Sequence, residues 1–372
     1  MSYPLSVIMV SANFHPYVGG AEKQALELSV ALKRRGVAVR VFTRRVGGLP
    51  ARDEVRGVPV ERLWCAGTGF INALTFMLSL GLWLLRRSAQ YSVVHVHLAG
   101  SPALPAVLVG RLLGKRVLLK LGGGRGIGEL AASRNSFSGR LKLSILFWLK
   151  PQFVAVTHDV AQECAQVLGT VPVVVQPNGV DTARYHPVSS EEKKALRQKL
   201  GWPEGLAFLY VGRFSPEKRL DWFLRIWSQS KNGSSFVALV GQGPEESKLR
   251  ALSSSRILIL PPMEDIQQAY AAADVFILPS ISEGLSNALL EAMASGLPVL
   301  GSRVGGTAEA VEEGTTGLLF DPQDGRALEK NLERFVLEPG LAERMGMAAR
   351  DRVVQTYSLE LVAQSYEKLY RL

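Results

Sequence analysis

A short apolar run, a polar loop, a helical segment and a second apolar run follow one another between residues 274 and 300. The two apolar runs have the length and composition of buried strands. Ser286 or Asn287 can cap the start of the helix, and Gly296 can end it. This order predicts a βαβ unit whose loop lies at the carboxyl end of a parallel sheet, where α/β folds bind their ligands.

Two glutamates stand at the start of this helix. Glu283 lies in the loop, and Glu291 lies about one helical turn inside the helix, which corresponds to a rise of about 5.4 Å. Because a helix N-terminus stabilises anions, a diphosphate can bind there, with Glu291 on the ribose hydroxyls and Glu283 on sugar hydroxyls. The structural alternative is that Glu283 helps to cap the helix and Glu291 pairs with a buried arginine.

The sequence from residue 283 resembles the E-x7-E motif of the family 4 (group 1) retaining glycosyltransferases. It is Glu-Gly-Leu-Ser-Asn-Ala-Leu-Leu-Glu-Ala-Met-Ala. The resemblance implies an α/β chain with the GT-B fold, in which two Rossmann-like domains face a central cleft. It makes Glu283 a catalytic residue. It also implies donor-binding roles for Gly284, Leu285, Ser286, Asn287 and Glu291.

A second motif lies between residues 212 and 221. Gly212, Arg213 and Lys218 resemble the family's G-R-x-x-x-x-K-G segment, although Arg219 replaces its last glycine. Arginine can bind two phosphate oxygens at once, whereas lysine acts as a point charge. The resemblance implies that Arg213 and Lys218 are catalytic residues that bind the diphosphate.

Three further loops resemble donor-binding segments of the family. A strand ends in Gly-Gln-Gly, another ends at Met263, where the family's backbone contacts the base, and Pro16 opens a P-x-x-G-G-x-E loop. Pro262 replaces a common glycine and removes one N–H donor. The donor-binding residues implied here are Gly19, Gly20, Gly241, Gly243 and Met263.

Two residues are candidates for the acceptor side. His97 ends a predicted strand that resembles the family's Val-His-x-His strand. Lys120 lies near the end of the next strand, where many members have a histidine–glycine pair that this chain lacks. The resemblance therefore predicts that His97 faces the acceptor and that Lys120 supplies a donor in place of the histidine.

The domain organisation follows from a P-N-G-V-D segment at 177–181, which resembles the family's interdomain link. We expect an N-terminal acceptor-side domain at 1–176, a linker at 177–188 and a nucleotide-sugar-binding domain at 189–357. We expect a last helix at 358–372 that crosses back to the first domain.

Charge and apolar content raise the possibility of a membrane surface. Residues 1–180 contain 21 Lys or Arg and 8 Asp or Glu, a balance of +13, whereas the remainder has 22 and 25, a balance of −3. The segment 70–85 is apolar, and 136–150 combines Phe137, Ile145 and Trp148 with basic residues. Core packing is the default for such stripes, and contact with an anionic membrane is the alternative.

The location expected is the cytoplasm, with peripheral attachment to the inner face of the cytoplasmic membrane. The chain shows no signal peptide and no uninterrupted apolar run of eighteen residues, and its two cysteines have no metal or redox spacing.

The function predicted is transfer of a sugar from a UDP- or GDP-sugar, with retention of configuration, to a lipid-linked or cell-surface glycan. No Asp-x-Asp motif is present, so no metal and no cofactor is expected. A nucleotide-sugar 2-epimerase of the same fold and a transferase with a small soluble acceptor are the alternatives. A nucleic-acid-binding protein would explain the charge but not the acidic pair, so no nucleic-acid partner is expected.

Overall fold

The computed structural model describes residues 5–17, 19–124 and 126–372. The chain forms two compact units: unit 1 is Met1–Gly179 together with Leu359–Leu372, and unit 2 is Val180–Ser358. Each unit contains one predominantly parallel β-sheet with helices packed around it. The class is therefore α/β, as the motifs imply.

The sheet of unit 1 has eight strands in the order β3-β4-β2-β1-β5-β6-β7-β8, all parallel to their neighbours except β3, which is antiparallel to β4. The strands are β1 Ser6–Ser11, β2 Ala38–Arg44, β3 Arg52–Val55, β4 Val58–Leu63, β5 Val93–His97, β6 Arg116–Leu121, β7 Gln152–Ala155 and β8 Val173–Val175. The helices are α1 Gly20–Arg34, α2 Gly69–Arg86, α3 Ala103–Leu113, α4 Glu129–Arg134, α5 Phe137–Leu149, α6 His158–Leu168 and the last helix of the chain, α15 Leu359–Arg371.

The core of unit 1 lies between its sheet and the helices α1 and α15. The buried apolar face of α1, including Leu28 and Leu32, packs with strand residues such as Val7 and Val41 and with Tyr366 of α15. Gln24 of α1 binds both backbone groups of Gly179, at 2.8 Å to the carbonyl oxygen and 3.2 Å from the N–H. These contacts make α15 part of the layer that covers the first sheet.

The sheet of unit 2 has six parallel strands in the order β11-β10-β9-β12-β13-β14. Its strands are β9 Ala207–Val211, β10 Phe236–Val240, β11 Ile257–Leu260, β12 Val275–Leu278, β13 Val299–Ser302 and β14 Gly317–Phe320. Its helices are α7 Ser190–Leu200, α8 Leu220–Gln229, α9 Glu246–Arg250, α10 Ile266–Ala272, α11 Asn287–Ala294, α12 Gly305–Ala310, α13 Gly325–Leu337 and α14 Leu341–Thr356.

The βαβ unit expected between residues 274 and 300 is confirmed. β12 and β13 pair in parallel, and α11 connects them. Ser286 is the residue that caps the helix, because its hydroxyl accepts the N–H of Leu289 at 3.3 Å. Gly296 follows the helix with a φ of +79°, a left-handed conformation that glycine adopts without steric cost.

The default expectation of core packing for the stripe on 136–150 is wrong. Phe137, Leu141 and Trp148 are exposed, and the buried residues of α5 are Gly139, Leu143 and Leu146. Apolar residues occur on both sides of this helix, so its periodicity alone did not show which side faces the sheet. Lys142, one of the basic residues of this segment, donates to the carbonyl oxygen of Ala99 at 2.7 Å.

Candidate functional site

The strand order of unit 2 places one pair of loops at the centre of its sheet. Strands β10 and β11 lie on one side of β9, and β12, β13 and β14 lie on the other. From β9 the chain adds strands outward to one edge of the sheet, and from β12 it adds them outward to the other edge. Open α/β sheets bind ligands at the carboxyl ends of the strands where this change of direction occurs. The loops that leave β9 and β12 carry Arg213, Lys218 and Glu283, three of the residues predicted from the motifs.

An ion pair joins these two loops. The Nζ atom of Lys218 lies 2.6 Å from Oε1 of Glu283, and the hydroxyl of Ser280 donates to the same oxygen at 2.6 Å. The Glu283 carboxylate is buried, and Lys218 is partly buried. Because burial strengthens a charge-assisted hydrogen bond and raises the penalty for losing either partner, the pair holds the two loops together.

Arg213 lies beside this pair with an exposed side chain. Its carbonyl oxygen accepts the hydroxyl of Tyr210 at 2.9 Å, which fixes the backbone, while its guanidinium forms no ion pair with any residue that the structure describes. Burial and the charges of Glu283 and Glu217 hold the pKa of the Tyr210 phenol far above its ordinary value, so this hydroxyl remains a donor. Arg213 is therefore positioned by its backbone and available to an anion.

The loop of Gly241 and Gly243 packs directly against the Arg213 segment. The N–H of Phe214 donates to the carbonyl oxygen of Gln242 at 2.9 Å. A Cβ atom on Gly241 would overlap the carbonyl oxygen of Gly212, and one on Gly243 would overlap that of Phe214. Only glycine allows the two loops to approach this closely, so both predicted glycines lie at the same edge of the sheet as Arg213.

The start of α11 is held in place by a neighbouring helix. The N–H of Gly306, in α12, donates to the carbonyl oxygen of Gly284 at 2.9 Å, and a Cβ atom on Gly306 would lie 2.8 Å from the Cα of Leu285. Gly284, Leu285, Ser286 and Asn287 therefore form one fixed turn between the ion pair and the helix. The N-terminus of α11 carries the partial positive charge of the helix dipole at this position.

Glu291 lies inside α11 and is buried. The hydroxyl of Tyr270, in α10, donates to its Oε2 atom at 3.1 Å. Burial and the charge of Glu291 hold the pKa of Tyr270 far above its ordinary value, so the phenol stays protonated and orients the carboxylate. Tyr270 is therefore one partner of the Glu291 carboxylate.

Three residues that support the site are not among those predicted from the motifs. Ser280 and Tyr270 orient the two glutamates, and Arg350 of α14 donates to the carbonyl oxygens of Ala294, Thr182 and Tyr185 at 2.7–2.9 Å. Arg350 thus binds the C-terminal end of α11, where a cation complements the helix dipole. The contacts of Tyr270 and Arg350 join segments at least 21 residues apart that no local pattern connects, whereas Ser280 lies only three residues before Glu283.

The remaining donor-side candidates lie elsewhere in the two units. Met263 follows β11, the edge strand of the second sheet, two strands away from β9. Gly19 caps the start of α1 in unit 1, and Gly20 is the first residue of that helix. The donor-binding roles of these three residues stay predictions.

The two acceptor-side candidates of unit 1 lie together but are covered. His97 and Lys120 occupy facing positions on β5 and β6, and both side chains are buried, with relative exposures of 2% and 4%. The ring of His97 stacks on His95 at 4.4 Å between centroids, and the Lys120 Nζ atom lies 5.6 Å from the ring centroid of Tyr366 in α15. Burial is the first cause that lowers the pKa of both histidines, and the charge of Lys120 adds to it, so both are neutral.

Among the residues that the structure describes, no group of three or more His, Cys, Asp or Glu side chains could hold a metal ion. Arg213, Lys218 and the start of α11 supply positive charge at this edge of the sheet.

Solved structures identify the class of fold. Sucrose-phosphate synthase from Thermosynechococcus elongatus aligns over 99% of this chain and 98% of its own, with a TM-score of 0.82 and 22% identity. Alr3699/HepE from Anabaena, solved in complex with UDP-glucose, aligns over 99% of this chain and 100% of its own, with a TM-score of 0.81 and 20% identity. The chain has the GT-B fold of the glycosyltransferases.

Sequence comparisons identify the family. The model described as Glycosyltransferase Family 4 matches residues 18–184, and the model described as Glycosyl transferases group 1 matches residues 205–337. D-inositol 3-phosphate glycosyltransferase of Rhodococcus jostii is 28% identical over 100% of this chain and 90% of its own length. Sulfoquinovosyl transferase SQD2 of Arabidopsis thaliana is 33% identical over 46% of this chain, but the chain spans only 35% of that relative. The chain belongs to the family 4, group 1 glycosyltransferases.

The buried amine of Lys120 predicts a pH-dependent stability. Burial lowers its pKa from the ordinary 10.5 to about 7, so between these pH values the unfolded chain binds one proton more than the folded chain. The free energy of unfolding attributable to Lys120 should therefore rise with pH, by up to about 1.4 kcal/mol per pH unit. Denaturant unfolding of the wild type and of Lys120→Met from pH 7 to 10 measures this difference. Lys194→Met removes an exposed lysine, and its free energy of unfolding should differ from that of the wild type by the same amount at every pH. The same pH-independent difference for Lys120→Met would mean that the buried amine stays charged.

Proposed function

We propose that unit 2 binds a nucleotide diphosphate sugar, with UDP or GDP as the nucleotide, and that the enzyme transfers its sugar with retention of anomeric configuration. The observation that carries this proposal is the position of Arg213, Lys218 and Glu283 with the start of α11 at the β9–β12 edge. The complex of the GT-B protein Alr3699/HepE with UDP-glucose supports a donor of this class.

The diphosphate would lie against the N-terminus of α11. Backbone N–H groups at a helix start and the helix dipole both favour an anion. The exposed guanidinium of Arg213 can bind two of its oxygens, and Lys218 can supply a further charge. These groups would neutralise the charge that develops on the leaving diphosphate, so the proposed reaction needs no metal ion and no cofactor.

The two glutamates would bind the two sugars of the donor. The Glu291 carboxylate, oriented by Tyr270, would accept the ribose hydroxyls, and Glu283 would accept hydroxyls of the transferred sugar. Glu283 is paired with Lys218, so a bound donor would share this lysine between its diphosphate and the carboxylate. Because Lys218 would contact both groups, binding of the sugar by Glu283 would be coupled to neutralisation of the leaving diphosphate.

In the proposed transfer, the bond between the anomeric carbon and the diphosphate oxygen breaks. The acceptor hydroxyl forms its new bond to the same face of that carbon, and its proton passes to the departing diphosphate oxygen. Front-face attack needs no covalent sugar–enzyme intermediate. Glu283 is engaged with Lys218 and Ser280, which suits a carboxylate that binds hydroxyls better than a free nucleophile.

We infer that His97 and Lys120 act by positioning the acceptor side rather than by touching the acceptor. Both are buried at the carboxyl ends of β5 and β6. Of the two loops that follow these strands, residues 98–102 include no exposed side chain, whereas the second exposes Gly126 and Ile127. In the second of these loops, the N–H groups of Gly122 and Gly123 donate to the Glu129 carboxylate at 3.2 Å each.

The acceptor we propose is a lipid-linked or cell-surface glycan, reached by an enzyme attached peripherally to the inner face of the cytoplasmic membrane. A small soluble acceptor is the second candidate, favoured by the similarity to D-inositol 3-phosphate glycosyltransferase over the whole chain. A 2-epimerase of the same fold would isomerise the donor and would need no acceptor.

A panel of nucleotide sugars tests the function. We expect release of UDP or GDP that depends on an added acceptor, and a product whose anomeric configuration by NMR matches that of the donor. Activity should survive excess EDTA, because Arg213 and Lys218 rather than a metal neutralise the leaving group. Donor isomerisation without acceptor would indicate an epimerase, an inverted product would contradict retention, and loss in EDTA that Mg²⁺ or Mn²⁺ restores would contradict metal independence.

Arg213→Ala tests the diphosphate site directly. A charge-assisted hydrogen bond contributes about 1.5–3 kcal/mol, so the affinity for the nucleoside diphosphate, measured by calorimetry, should fall by about tenfold or more. Turnover should fall further, because charge develops on the leaving group in the transition state. Arg250→Ala is the matched control, since Arg250 is an exposed arginine paired with Glu246 on α9. Unchanged binding and turnover in Arg213→Ala would rule out the assignment.

A further inference from the structure

Three helices of unit 1 form a continuous apolar surface, which we call the three-helix face. Helix α3 contacts α2 on one side and α5 on the other. Each of the three helices buries one side, with Phe76, Leu80 and Leu84 of α2 fully buried. Their outward sides carry twelve of the 22 exposed large apolar side chains found among the described residues: Phe70, Ile71, Leu74, Leu78, Leu82, Leu85, Leu108, Leu112, Phe137, Leu141, Phe147 and Trp148.

The outward side of α2 has no polar stripe. Its exposed apolar residues recur at three- and four-residue steps, so they share one side of the helix. On a helix at the surface of a soluble domain this side is normally charged or polar. Phe137 and Trp148, at 77% and 80% exposure, extend the apolar surface across α5. Apolar surface of this continuity indicates an interaction site.

The charged residues of α2, α3 and α5 have one sign, because these three helices contain Arg and Lys but no Asp or Glu. Residues 62–158 contain twelve Lys or Arg and a single acidic residue, Glu129, whose carboxylate is occupied by the N–H groups of Gly122 and Gly123. Six of the basic residues lie in or directly beside the three helices and their loops and are exposed, and none forms an ion pair with a residue that the structure describes: Arg86, Arg87, Arg111, Arg134, Arg140 and Lys150.

We propose that the three-helix face docks unit 1 on an anionic lipid bilayer, with the apolar side chains in the headgroup and upper acyl region and the six basic residues on anionic headgroups. A second copy of this chain fits less well, because it would present the same positive charges. Only a partner with an apolar layer beneath an anionic surface satisfies both features, and a bilayer that contains anionic lipids has this structure.

The face would lie on the membrane and not cross it. By length and composition α2 could span a bilayer. However, its inner side is packed into unit 1, where the Trp83 ring contacts Phe42 at 4.3 Å between centroids and the Leu84 carbonyl oxygen accepts the hydroxyl of Tyr91 at 2.9 Å. Trp64, beside α2 and 60% exposed, and Trp148 on α5 are suited to the interfacial region.

This inference rests on the proposed function only for the location of the acceptor, since docking itself needs neither donor nor transfer. The test is therefore flotation of the full chain, without nucleotide sugar, with vesicles of phosphatidylcholine alone or with about one third phosphatidylglycerol. We expect strong, salt-sensitive binding to the anionic vesicles and little to the neutral ones. A failure of transfer activity would leave this result unchanged.

Two double variants test the two components of the face. Leu78→Gln with Leu82→Gln should lower vesicle partitioning at least tenfold, and Arg140→Glu with Lys150→Glu should lower it by about fivefold or more per residue. All four side chains are exposed, so the melting temperature should stay unchanged. The matched controls lie in unit 2: Leu337→Gln with Met347→Gln, and Lys194→Glu with Lys231→Glu, all at exposed positions.

Controls that bind as the wild type does, with loss in both test variants, would support the docking surface. Absence of binding to either vesicle, or equal losses in test and control variants, would overturn it. Equal binding to neutral and anionic vesicles would overturn the assignment of anionic lipid. A dimer in light scattering that Leu78→Gln with Leu82→Gln abolishes, without vesicle binding, would assign the face to a second copy of the chain.

Discussion

The ion pair between Lys218 and Glu283 ties together the two loops that leave the central strands of unit 2. Removing one partner of a buried pair costs about 3–5 kcal/mol, so the pair stabilises both loops. Ser280 adds a hydrogen bond to the same carboxylate, and Gly306 holds the turn that leads into α11. Arg213, the start of α11 and Glu291 have further contacts of their own, with Tyr210, Gly306 and Tyr270 respectively. The pair therefore sets the positions of Lys218 and Glu283 within an edge of the sheet that these other contacts also hold.

Much of the fold follows from local patterns. The sequence shows where two strands end, before Gly212 and before Pro279, and where the helix capped by Ser286 begins. These boundaries are predictable because apolar runs, caps and glycines determine structure within a few residues of themselves. Strand β3, Arg52–Val55, was not expected. It is short, polar and antiparallel to β4 at the sheet edge, and such a segment forms a strand only because its neighbour offers hydrogen bonds.

The motif residues of the candidate site were predictable from the sequence, whereas the residues that contact them were not. Arg213, Lys218 and Glu283 were identified from motifs, but the contacts of Glu291 with Tyr270 and of Arg350 with the end of α11 depend on tertiary packing between distant segments. The outward side of α5 shows the same limit. Leu143 and Leu146 face inward while Phe137 and Trp148 face outward, and both pairs are equally apolar. A surface whose apolar pattern matches that of a core helix is therefore recognised only from its exposure.

The most direct test of the central claim is calorimetric titration of Glu283→Gln with a nucleoside diphosphate and with its nucleotide sugar, beside Glu291→Gln and the wild type. If Glu283 binds the transferred sugar and restrains Lys218, Glu283→Gln should bind the nucleoside diphosphate as well as the wild type or more tightly, and the nucleotide sugar about tenfold more weakly. Glu291→Gln should weaken both ligands, because both contain the ribose. Equal weakening of both ligands by Glu283→Gln, or no change in either, would contradict the account.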